Sequence, residues 1–471
     1  MDSDVSSKII VPANSHWIVP FLSRIYTEFQ QRDYNIEVVP GSKAIAGTAE
    51  ASLPEAAIHR DWIQHEPKST FRDICEKYGI ENPRGIVFPH MVYEKDYDKP
   101  SYRPYWLSGT NSIDYDPYLD DFHRALDYMD MLYEDGKGGI PLQYQGARIL
   151  RPALQRVADH HGFPSVRASF SPLEDMHIFR STEEMKNLPI ERASYDDLTD
   201  EELEAAEEFW EAETNNQNRM IGNEPREGSI LEAMKQRVQA IRRNKPDIIP
   251  TAMSRLGERA LRIIAKRMYL NEEQSWQVME TNNYVFYSIQ FPKESRITMR
   301  APQFYNQLWL IEYLSRSLPA NYELVVKDHP QRLGALPLSQ IRAITRYAKG
   351  VAPTIPARKV ITQADAVVTL NNTVGYEAIM HGKPVLTLGD AFYSGAGYTR
   401  DVTDIQSLPR ELKAAVSSDG LSKNEVIEFV HGILRSSYEG TWGDTDEENI
   451  KMFADSISKF LNEKNMSGSP K

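Results

Sequence analysis

Two short stretches of the sequence carry side chains that could bind a phosphorylated ligand. The first is KDHP, at residues 327–330, which offers an ammonium and an imidazole as hydrogen-bond donors. The second covers residues 371–377, NNTVGYE, and combines amides, a hydroxyl, a glycine and a carboxylate. Ammonium, imidazole and amide groups bind phosphate oxygens, and a carboxylate can accept hydrogen bonds from hydroxyls. Together the two stretches predict a site for a nucleoside monophosphate or diphosphate.

Each residue of these stretches has an expected role. Lys327 and His329 could donate to a phosphate or a base, and Pro330 ends a strand and favours extended backbone before it. Gly375 would let a ligand or a neighbouring strand approach closely. Glu377 could accept the two hydroxyl hydrogen bonds that a ribose provides. A purely structural histidine at 329 remains an alternative.

The turn between the two elements of the second stretch also offers donors. Asn371, Asn372 and Thr373 present polar side chains beside the free N–H groups that begin a helix. An alternative assigns Asn372 or Thr373 only to capping that helix, and Glu377 only to its dipole.

These side chains follow predicted strands. The runs YELVV (322–326) and AVVTL (366–370) are apolar and short, as buried parallel strands are. A helix pattern at 376–381 ends at Gly382, and a further strand, VLTL, follows at 385–388. Because parallel strands present their carboxyl ends at one edge of a sheet, the polar residues should meet there.

The wider pattern predicts an α/β fold with two Rossmann-like domains that face a cleft. Strands are expected at 8–11, 36–39, 85–88, 140–144 and 165–168 in the amino-terminal part, and at 284–290 in the second part. Four regions are predicted: an amino-terminal, acceptor-side domain (1–180), a helical insertion or linker (181–280), a nucleotide-sugar-binding domain (281–415), and carboxyl-terminal helices with a tail (416–471).

Three further motifs have simple alternatives. His16 follows the first strand at the ligand-bearing edge, although its turn could be a solvated helix cap. Asp114 and Asp116 have the spacing of a metal-binding DxD, which arises often by chance in an acidic chain. His160 and His161 lie at a helix end before a glycine, where a cap is favoured over a metal pair. No metal site is therefore assigned.

Composition limits the functional classes. The 471 residues carry a net charge of −13, which argues against non-specific binding of nucleic acid. The single cysteine, Cys75, excludes an internal disulfide framework. The start has no signal-peptide pattern, and no apolar run reaches the ~20 residues of a membrane span. We expect a cytoplasmic protein whose membrane contact, if any, is peripheral. Glycine-rich dinucleotide and Walker motifs are absent from the sequence.

The motifs resemble those of the capsule polysaccharide biosynthesis family, which includes the Kdo transferases of bacterial capsules. Residues 327–330 resemble its K-x-H-P motif, and residues 371–399, with GKPV at their centre, resemble its long S-S/T-x-G-x-E-A block. Residues 288–297, SIQFPKESRI, are similar to its Q-x-P-x-D-S segment. The resemblance is looser at 140–169 and strong only from 284 to 400.

This resemblance implies a GT-B fold and a CMP-activated or related nucleotide sugar. His329 and Pro330 would contact the nucleotide, Asn372 and Thr373 its phosphate, and Glu377 the ribose or base. Gln290 belongs to the Q-x-P-x-D-S-like segment and joins Asn371 and Gly375 among the donor-site residues. Glu294 stands where relatives carry a candidate catalytic aspartate and would act as base or nucleophile.

The resulting hypothesis is a glycosyltransferase of capsule or other surface polysaccharide synthesis, with CMP-Kdo as the favoured donor. A glycan or glycolipid would be the acceptor, and His16 is a weaker candidate for activating it. No cofactor and no nucleic acid partner are expected, and any membrane association would be peripheral, at the inner membrane face or with the export machinery. A CDP-polyol phosphotransferase of the teichoic-acid type and a non-catalytic nucleotide-binding relative are the alternatives.

Overall fold

The computed structural model describes most of the chain and divides it into two compact units. The described residues are 8–97, 114–144, 148–173, 175–180, 190, 192–215, 262–290, 294–329, 333, 336 and 338–463. The first unit comprises Met1–Tyr93, Ser112–Leu188 and Ile433–Lys471. The second unit comprises Glu94–Asn111 and Pro189–Gly432.

The first unit is built on a six-stranded sheet with the spatial order β12-β5-β4-β3-β1-β2. Its strands are β1 (Lys8–Ala13), β2 (Asn35–Pro40), β3 (Ile140–Tyr144), β4 (Val166–Phe170), β5 (Met176–Arg180) and β12 (Ser437–Glu439). The first four pair in parallel, whereas β5 and β12 are antiparallel additions. The order 2-1-3-4 of the parallel strands is flavodoxin-like, with its switch point between β1 and β3.

Helices cover both faces of this sheet. They are Val19–Gln30, Lys43–Glu50, Phe71–Lys77, Pro83–Tyr97, Asp116–Glu134, Leu150–His160 and Glu447–Glu463. Alternate residues of β1 show why both faces are buried: Ile9 and Val11 pack with the helices 19–30 and 447–463. Ile10, which points the other way, packs with the helices 116–134 and 150–160. The carboxyl-terminal helix is therefore part of the core of the first unit.

The second unit contains a parallel sheet with the order β11-β10-β9-β6-β7-β8. Its strands are β6 (Asn283–Ser288), β7 (Tyr322–Lys327), β8 (Lys349–Gly350), β9 (Ala366–Thr369), β10 (Val385–Thr387) and β11 (Arg400–Asp401). Counted within the unit, the order is 3-2-1-4-5-6, which is the Rossmann order. Its switch point lies between β6 and β9, the strands that open the two halves.

Helices surround the second sheet as well. They are Asp200–Thr214, Glu272–Thr281, Ser295–Arg300, Gln307–Ser317, Leu338–Tyr347, Ala357–Gln363, Thr373–Met380, Leu408–Val416 and Lys423–Ser436. The strand residues Val285, Leu324 and Val368 are at most 1% exposed and form one core with the helices 307–317 and 408–416. No helix within the described part of the chain is long and apolar enough to cross a membrane.

The predicted α/β class with two Rossmann-like sheets is confirmed, but one predicted strand is wrong. Residues 85–88, GIVF, lie inside the helix Pro83–Tyr97. Pro83 starts this helix, and the side chain of Asn82 accepts a hydrogen bond from the Gly85 N–H at 3.1 Å. A proline at the first helical position and a capping asparagine outweigh the strand preference of a four-residue apolar run.

Candidate functional site

Two buried amides join the strands at the switch point of the second unit. Gln290 follows β6 and Asn371 follows β9, and each is 5% exposed. Gln290 Nε2 donates to Asn371 Oδ1 at 2.9 Å, and Asn371 Nδ2 donates to the carbonyl of Arg296 at 2.8 Å. The structure thus brings two predicted site residues into direct contact, at the edge where ligands bind in this fold.

A third amide, Gln307, holds Gln290 in place. Its Oε1 accepts from the Gln290 N–H at 2.8 Å and from the Tyr287 hydroxyl at 2.8 Å, and its Nε2 donates to the Gln290 carbonyl. Sequence reasoning missed Gln307. The signal was present, because Gln307 shares a helix face with the buried Leu310, Ile311 and Leu314, where a glutamine needs partners.

Asn372 caps the helix Thr373–Met380. Its Oδ1 accepts from the Val374 N–H at 3.1 Å and from the Thr369 hydroxyl at 2.9 Å. The capping alternative therefore describes the Asn372 side chain. Thr373 is the first residue of the helix, so the backbone N–H groups of its first turn face the carboxyl edge of the sheet, where they favour an anion.

Gly375 makes room for a tyrosine. A Cβ at Gly375 would collide with the hydroxyl of Tyr393 and would lie 2.8 Å from the methyl group of Thr369. The Tyr393 hydroxyl donates to the carbonyl of Asn372 at 2.6 Å, and the Tyr393 side chain is fully buried. A ligand or a neighbouring strand was expected to approach Gly375 closely, but the side chain of Tyr393 fills this space. Tyr393 thereby connects Asn372, which caps the helix, to the loop after β10.

A buried cation ends β7. Lys327 is 5% exposed, and burial lowers its pKa to about 8, against the opposing charges of Asp328 and Glu377. Asp328 accepts from the His329 N–H at 2.8 Å and from the Tyr269 hydroxyl at 3.2 Å. Burial raises the pKa of Asp328 to about 6. His329 is exposed at the same edge, and Pro330 lies outside the described residues.

Glu377 lies in a group of four charged side chains. Burial and the nearby Glu213 carboxylate raise the pKa of Glu377, whereas Lys327 and Arg358 lower it, and together these effects place it at about 7. Burial also raises the pKa of Glu213 to about 6. Glu377 is therefore partly protonated near neutral pH, and its capacity to accept two hydroxyls depends on the charges around it.

The acidic helix 200–214 brings Glu213 to this position. Trp210 Nε1 donates to the carbonyl of Met380 at 2.9 Å, and Arg358 donates to the carbonyl of Thr214. Glu207 forms an ion pair with Lys423 at 2.8 Å. One side of this acidic helix therefore packs on the helix 373–380. Trp210 was the signal for that contact.

Glu294 begins the helix Ser295–Arg300, close to the switch point. Its carbonyl accepts from the N–H groups of Ile297 and Thr298, at 3.0 and 3.1 Å. Its side chain does not cap the helix. The helix reaches Asn371 through the carbonyl of Arg296. Residues 291–293, which precede Glu294, lie outside the described residues.

The remaining candidates belong to the first unit. His16 is exposed, and its Nδ1 forms a hydrogen bond with the Thr48 hydroxyl at 2.9 Å. Asp114 accepts from the Asp116 N–H at 3.1 Å, so this part of the DxD motif begins a helix. His16 therefore lies at the carboxyl edge of the first sheet. The candidates for the donor site lie in the second unit.

One cluster of groups that could ligate a metal is already paired with a lysine. The ligand atoms of Asp130, Glu134 and His161 lie within 4.8 Å of one another. However, Lys77 Nζ donates to Asp130 at 2.7 Å and to Glu134 at 2.8 Å, and Tyr78 donates to Asp130 at 2.6 Å. An ammonium in this position opposes a divalent cation.

At the second switch point, the structure combines a buried ammonium, a helix start and a carboxyl group. Lys327 and the positive end of the helix Thr373–Met380 can attract phosphate oxygens, and Glu377 can accept hydroxyls. The side chains of Gln290, Gln307 and Asn371 hold the backbone of the neighbouring loops, at Gln290 and Arg296, in place. This combination suits an anionic ligand that also carries hydroxyl groups.

Comparisons with curated proteins found similarity to proteins of capsule polysaccharide modification and export over part of the chain. The chain is 29% identical over 126 residues to the capsule polysaccharide modification protein LipA of Neisseria meningitidis, covering 26% of this chain and 18% of LipA. It is 34% identical over 91 residues to the capsule polysaccharide export protein KpsS of Escherichia coli, covering 18% and 23%. The chain thus spans about a quarter or less of the length of these relatives.

A solved structure is similar over more of the chain but at low identity. It is the KpsC beta Kdo 2,7 transferase of Thermosulfurimonas dismutans, with 15% identity, a TM-score of 0.38, and coverage of 71% of this chain and 89% of that one. The profile of the family described as capsule polysaccharide biosynthesis protein matches residues 243–421. This range contains Gln290, Lys327, Asn371 and Glu377. Over residues 243–421, the chain is therefore similar to the family described as capsule polysaccharide biosynthesis protein.

Proposed function

We propose that this protein is a glycosyltransferase that uses a nucleotide-activated sugar, with a CMP-Kdo-like donor favoured, in the synthesis of capsule or other surface polysaccharide. The observation that carries the proposal is the group formed by Lys327, Glu377 and the Asn371–Asn372 turn at the switch point of a Rossmann-order sheet. The acceptor is a glycan or glycolipid. The protein acts in the cytoplasm, in peripheral contact with the inner membrane face or the export machinery.

The donor phosphate occupies the helix start in this proposal. The N–H groups after Asn372 and the Lys327 ammonium meet its charge, and His329 completes the contact from the exposed end of β7. During transfer, the bond between the anomeric carbon and the phosphate oxygen breaks, and negative charge builds on the leaving nucleotide. Fixed donors in a buried setting stabilise that charge without a metal.

The nucleoside end and the reacting carbon need further groups. Glu377 accepts the ribose hydroxyls in its ionised form. Glu294 supplies a carboxylate near the switch point, either as the base that takes the proton of the acceptor hydroxyl or as the nucleophile at the anomeric carbon. His16 is the alternative base. Its position in the first unit leaves Glu294 as the candidate that belongs to the donor-binding unit.

Nucleotide binding is the first test. Thermal-shift and calorimetric titrations with CMP, CDP, UMP, UDP and GDP should show stabilisation of the wild type by cytidine nucleotides. His329→Ala should weaken CMP binding about tenfold, as expected for the loss of one hydrogen bond to a charged group. His160→Ala is the matched control, because His160 is also exposed but ends a helix of the first unit. CMP affinity that is equal in the two variants would remove His329 from the site.

Turnover is the second test. Release of CMP from CMP-Kdo, in the presence of a glycan acceptor, should fall at least 100-fold in Glu294→Gln while CMP affinity is preserved. Full activity of that variant would exclude Glu294 from the chemistry. Turnover of CDP-glycerol instead of CMP-Kdo would favour the polyol-phosphate reaction, and nucleotide binding without turnover of either would favour a non-catalytic role.

A further inference from the structure

The first unit has a switch point of its own, between β1 and β3. In open α/β sheets, ligands bind outside the carboxyl ends of the strands at such a point. The residues that follow β1 there are Asn14, Ser15, His16 and Trp17. The donor-site groups described above all belong to the second unit, whereas this edge contains His16, the alternative base.

Trp17 is an exposed aromatic ring at this edge. It is 57% exposed, although tryptophan is usually among the more buried residues. A Cβ at Gly443 would collide with the Trp17 ring, and Gly443 has a φ of +91°, which suits glycine. The indole therefore rests against the bare backbone of Gly443 and keeps more than half of its surface open.

The loop that supports Trp17 is held in place by one asparagine. Asn449 Oδ1 accepts from the Thr441 N–H at 2.6 Å, and its Nδ2 donates to the carbonyls of Thr441 and Asp444, at 3.0 and 2.9 Å. These bonds fix residues 436–444 (SSYEGTWGD), which connect the helices 423–436 and 447–463. The exposed ring thus stands on an ordered support.

Further aromatic rings continue from that loop to the other strand of the switch point. Trp442, next to Gly443, stacks on Tyr144 at 5.5 Å with an interplanar angle of 10°. Tyr144 is the last residue of β3. Trp442 also packs on Phe21 and Phe453, with ring centroids 5.4 and 5.7 Å away. Trp442 is 8% exposed, so these rings form a buried aromatic support for the loop beside Trp17.

Polar groups at the same edge have hydrogen-bonding capacity left. Among the described residues, Asn14 Nδ2 and Ser169 Oγ are buried and have no hydrogen-bond partner. Asn14 follows β1 directly, and Ser169 lies near the carboxyl end of β4, the neighbour of β3. Buried polar atoms are normally paired, so two such atoms at one edge indicate a ligand that brings hydroxyl or carbonyl groups.

We propose that Trp17, together with Asn14 and His16, binds a pyranose ring of the glycan acceptor. This inference rests on the proposed glycosyltransferase function. A sugar ring has an apolar C–H face that packs on an aromatic side chain and hydroxyls that pair with amide and imidazole groups. A nucleotide phosphate would instead require the cations that gather at the second switch point.

Saturation-transfer NMR tests this site without knowledge of the natural acceptor. The probes are the methyl glycosides of Kdo, galactose and N-acetylglucosamine, each added to the full-length protein. At least one probe should receive saturation in the wild type and in Trp17→Phe, which keeps an aromatic ring. Trp17→Ala should weaken binding of that probe about tenfold, as loss of ring stacking does at other sites.

Trp309→Ala is the matched control, because Trp309 is 40% exposed on the helix 307–317 of the second unit. It should bind the probe as the wild type does, and CMP affinity should be the same in all variants. Equal probe binding by Trp17→Ala and the wild type would overturn the sugar site, as would the absence of saturation transfer to every probe.

Two other outcomes would also overturn it. Loss of CMP binding in Trp17→Ala would assign the ring to a nucleobase, and a changed oligomeric mass with unchanged probe binding would assign it to a protein interface. Failure of the proposed glycosyltransferase function can be distinguished from failure of the sugar site. The first would show as absent CMP binding by the wild type, whereas the second is measured separately with the sugar probes.

Discussion

The asparagines at the two switch points differ in how completely their side-chain amides are hydrogen-bonded, although Gln290 Oε1 at the second edge is also buried without a partner among the described residues. In the second unit, Asn371 makes two side-chain hydrogen bonds, one of them to Gln290 across the switch point. In the first unit, Asn14 follows β1, and its Nδ2 has no partner among the described residues. Charged groups gather at the second site, whereas the first site presents the exposed ring of Trp17.

This difference indicates two ways of preparing a binding edge. The second edge is held rigid by its own amides, so a ligand meets N–H groups and an ammonium that are already oriented, as electrostatic stabilisation requires. The first edge keeps hydrogen-bonding capacity in reserve around an open ring, as a site for a neutral, hydroxyl-rich ligand does. Similar sheets therefore present different chemistry because the residues after their strands differ.

The largest effect on folding stability should come from removing the hydrogen-bonded side chain of Asn371. Asn371→Ala should lower the free energy of unfolding by about 2–4 kcal/mol, because two hydrogen bonds are lost and buried partners are left unpaired. Asn14→Ala should change it by less than about 0.5 kcal/mol, since its Nδ2 has no partner to lose. Urea denaturation of both full-length variants measures the difference. Equal losses would show that the two edges are equally paired.

Lys327 should matter for binding more than for folding. Lys327→Met should weaken CMP binding about 30- to 100-fold, because a buried ammonium forms charge-assisted hydrogen bonds with phosphate. Titration calorimetry measures this. Lys349→Met, at an exposed position in β8 of the same sheet, should bind CMP as the wild type does. A loss of less than threefold in Lys327→Met would mean that the phosphate does not reach Lys327.

Two glycines provide a further contrast between the units. Gly375→Ala should destabilise the protein by about 1–3 kcal/mol, because the added methyl group meets Tyr393 and Thr369. Gly47→Ala, in the helix Lys43–Glu50, should stabilise it by about 0.5–1 kcal/mol, because a Cβ there has no neighbour within 4 Å. Thermal and urea unfolding compare the variants. A neutral Gly375→Ala would mean that Tyr393 can move away from the helix.

Much of this could be predicted from the sequence because buried parallel strands are continuous apolar runs. The runs at 322–326 and 366–370 became β7 and β9, and the polar residues after them lie at one sheet edge. The same rule failed at 85–88, since a four-residue apolar run fits a buried helix equally well. The local chemistry of Asn372 was open to two interpretations, and the structure shows the helix cap.

The rest depended on contacts between residues distant in sequence. Gln307 supports Gln290, Tyr393 supports Asn372, and Glu213 approaches Glu377 from a helix more than 150 residues earlier in the chain. No spacing rule connects these pairs, because tertiary packing alone brings them together. Their charge and hydrogen bonding nevertheless determine how the donor edge behaves.

The smallest predicted effect concerns the interaction between Glu213 and Glu377. The Glu377 pKa of about 7 should make CMP affinity rise as pH increases through about 7, since ionised Glu377 accepts the ribose hydroxyls. Glu213→Gln removes a neighbouring negative charge, so the midpoint of this rise should move down by about half a pH unit. Calorimetric titrations between pH 5.5 and 8 would be compared with those of Glu211→Gln, an exposed neighbour on the same helix. An upward or absent shift would contradict the coupling.

Folding stability provides an independent measure of the same coupling, with the opposite dependence on pH. A carboxyl group whose pKa is raised by folding holds its proton more tightly in the native state, so its contribution is complete below the unfolded value of about 4.5 and is lost as pH rises through about 7. The free energy of unfolding of the wild type should therefore fall relative to that of Glu377→Gln across this range. Affinity that rises while relative stability falls would identify Glu377 as one titrating group behind both, whereas parallel pH profiles of the two proteins would assign the change in affinity to another residue of the donor edge.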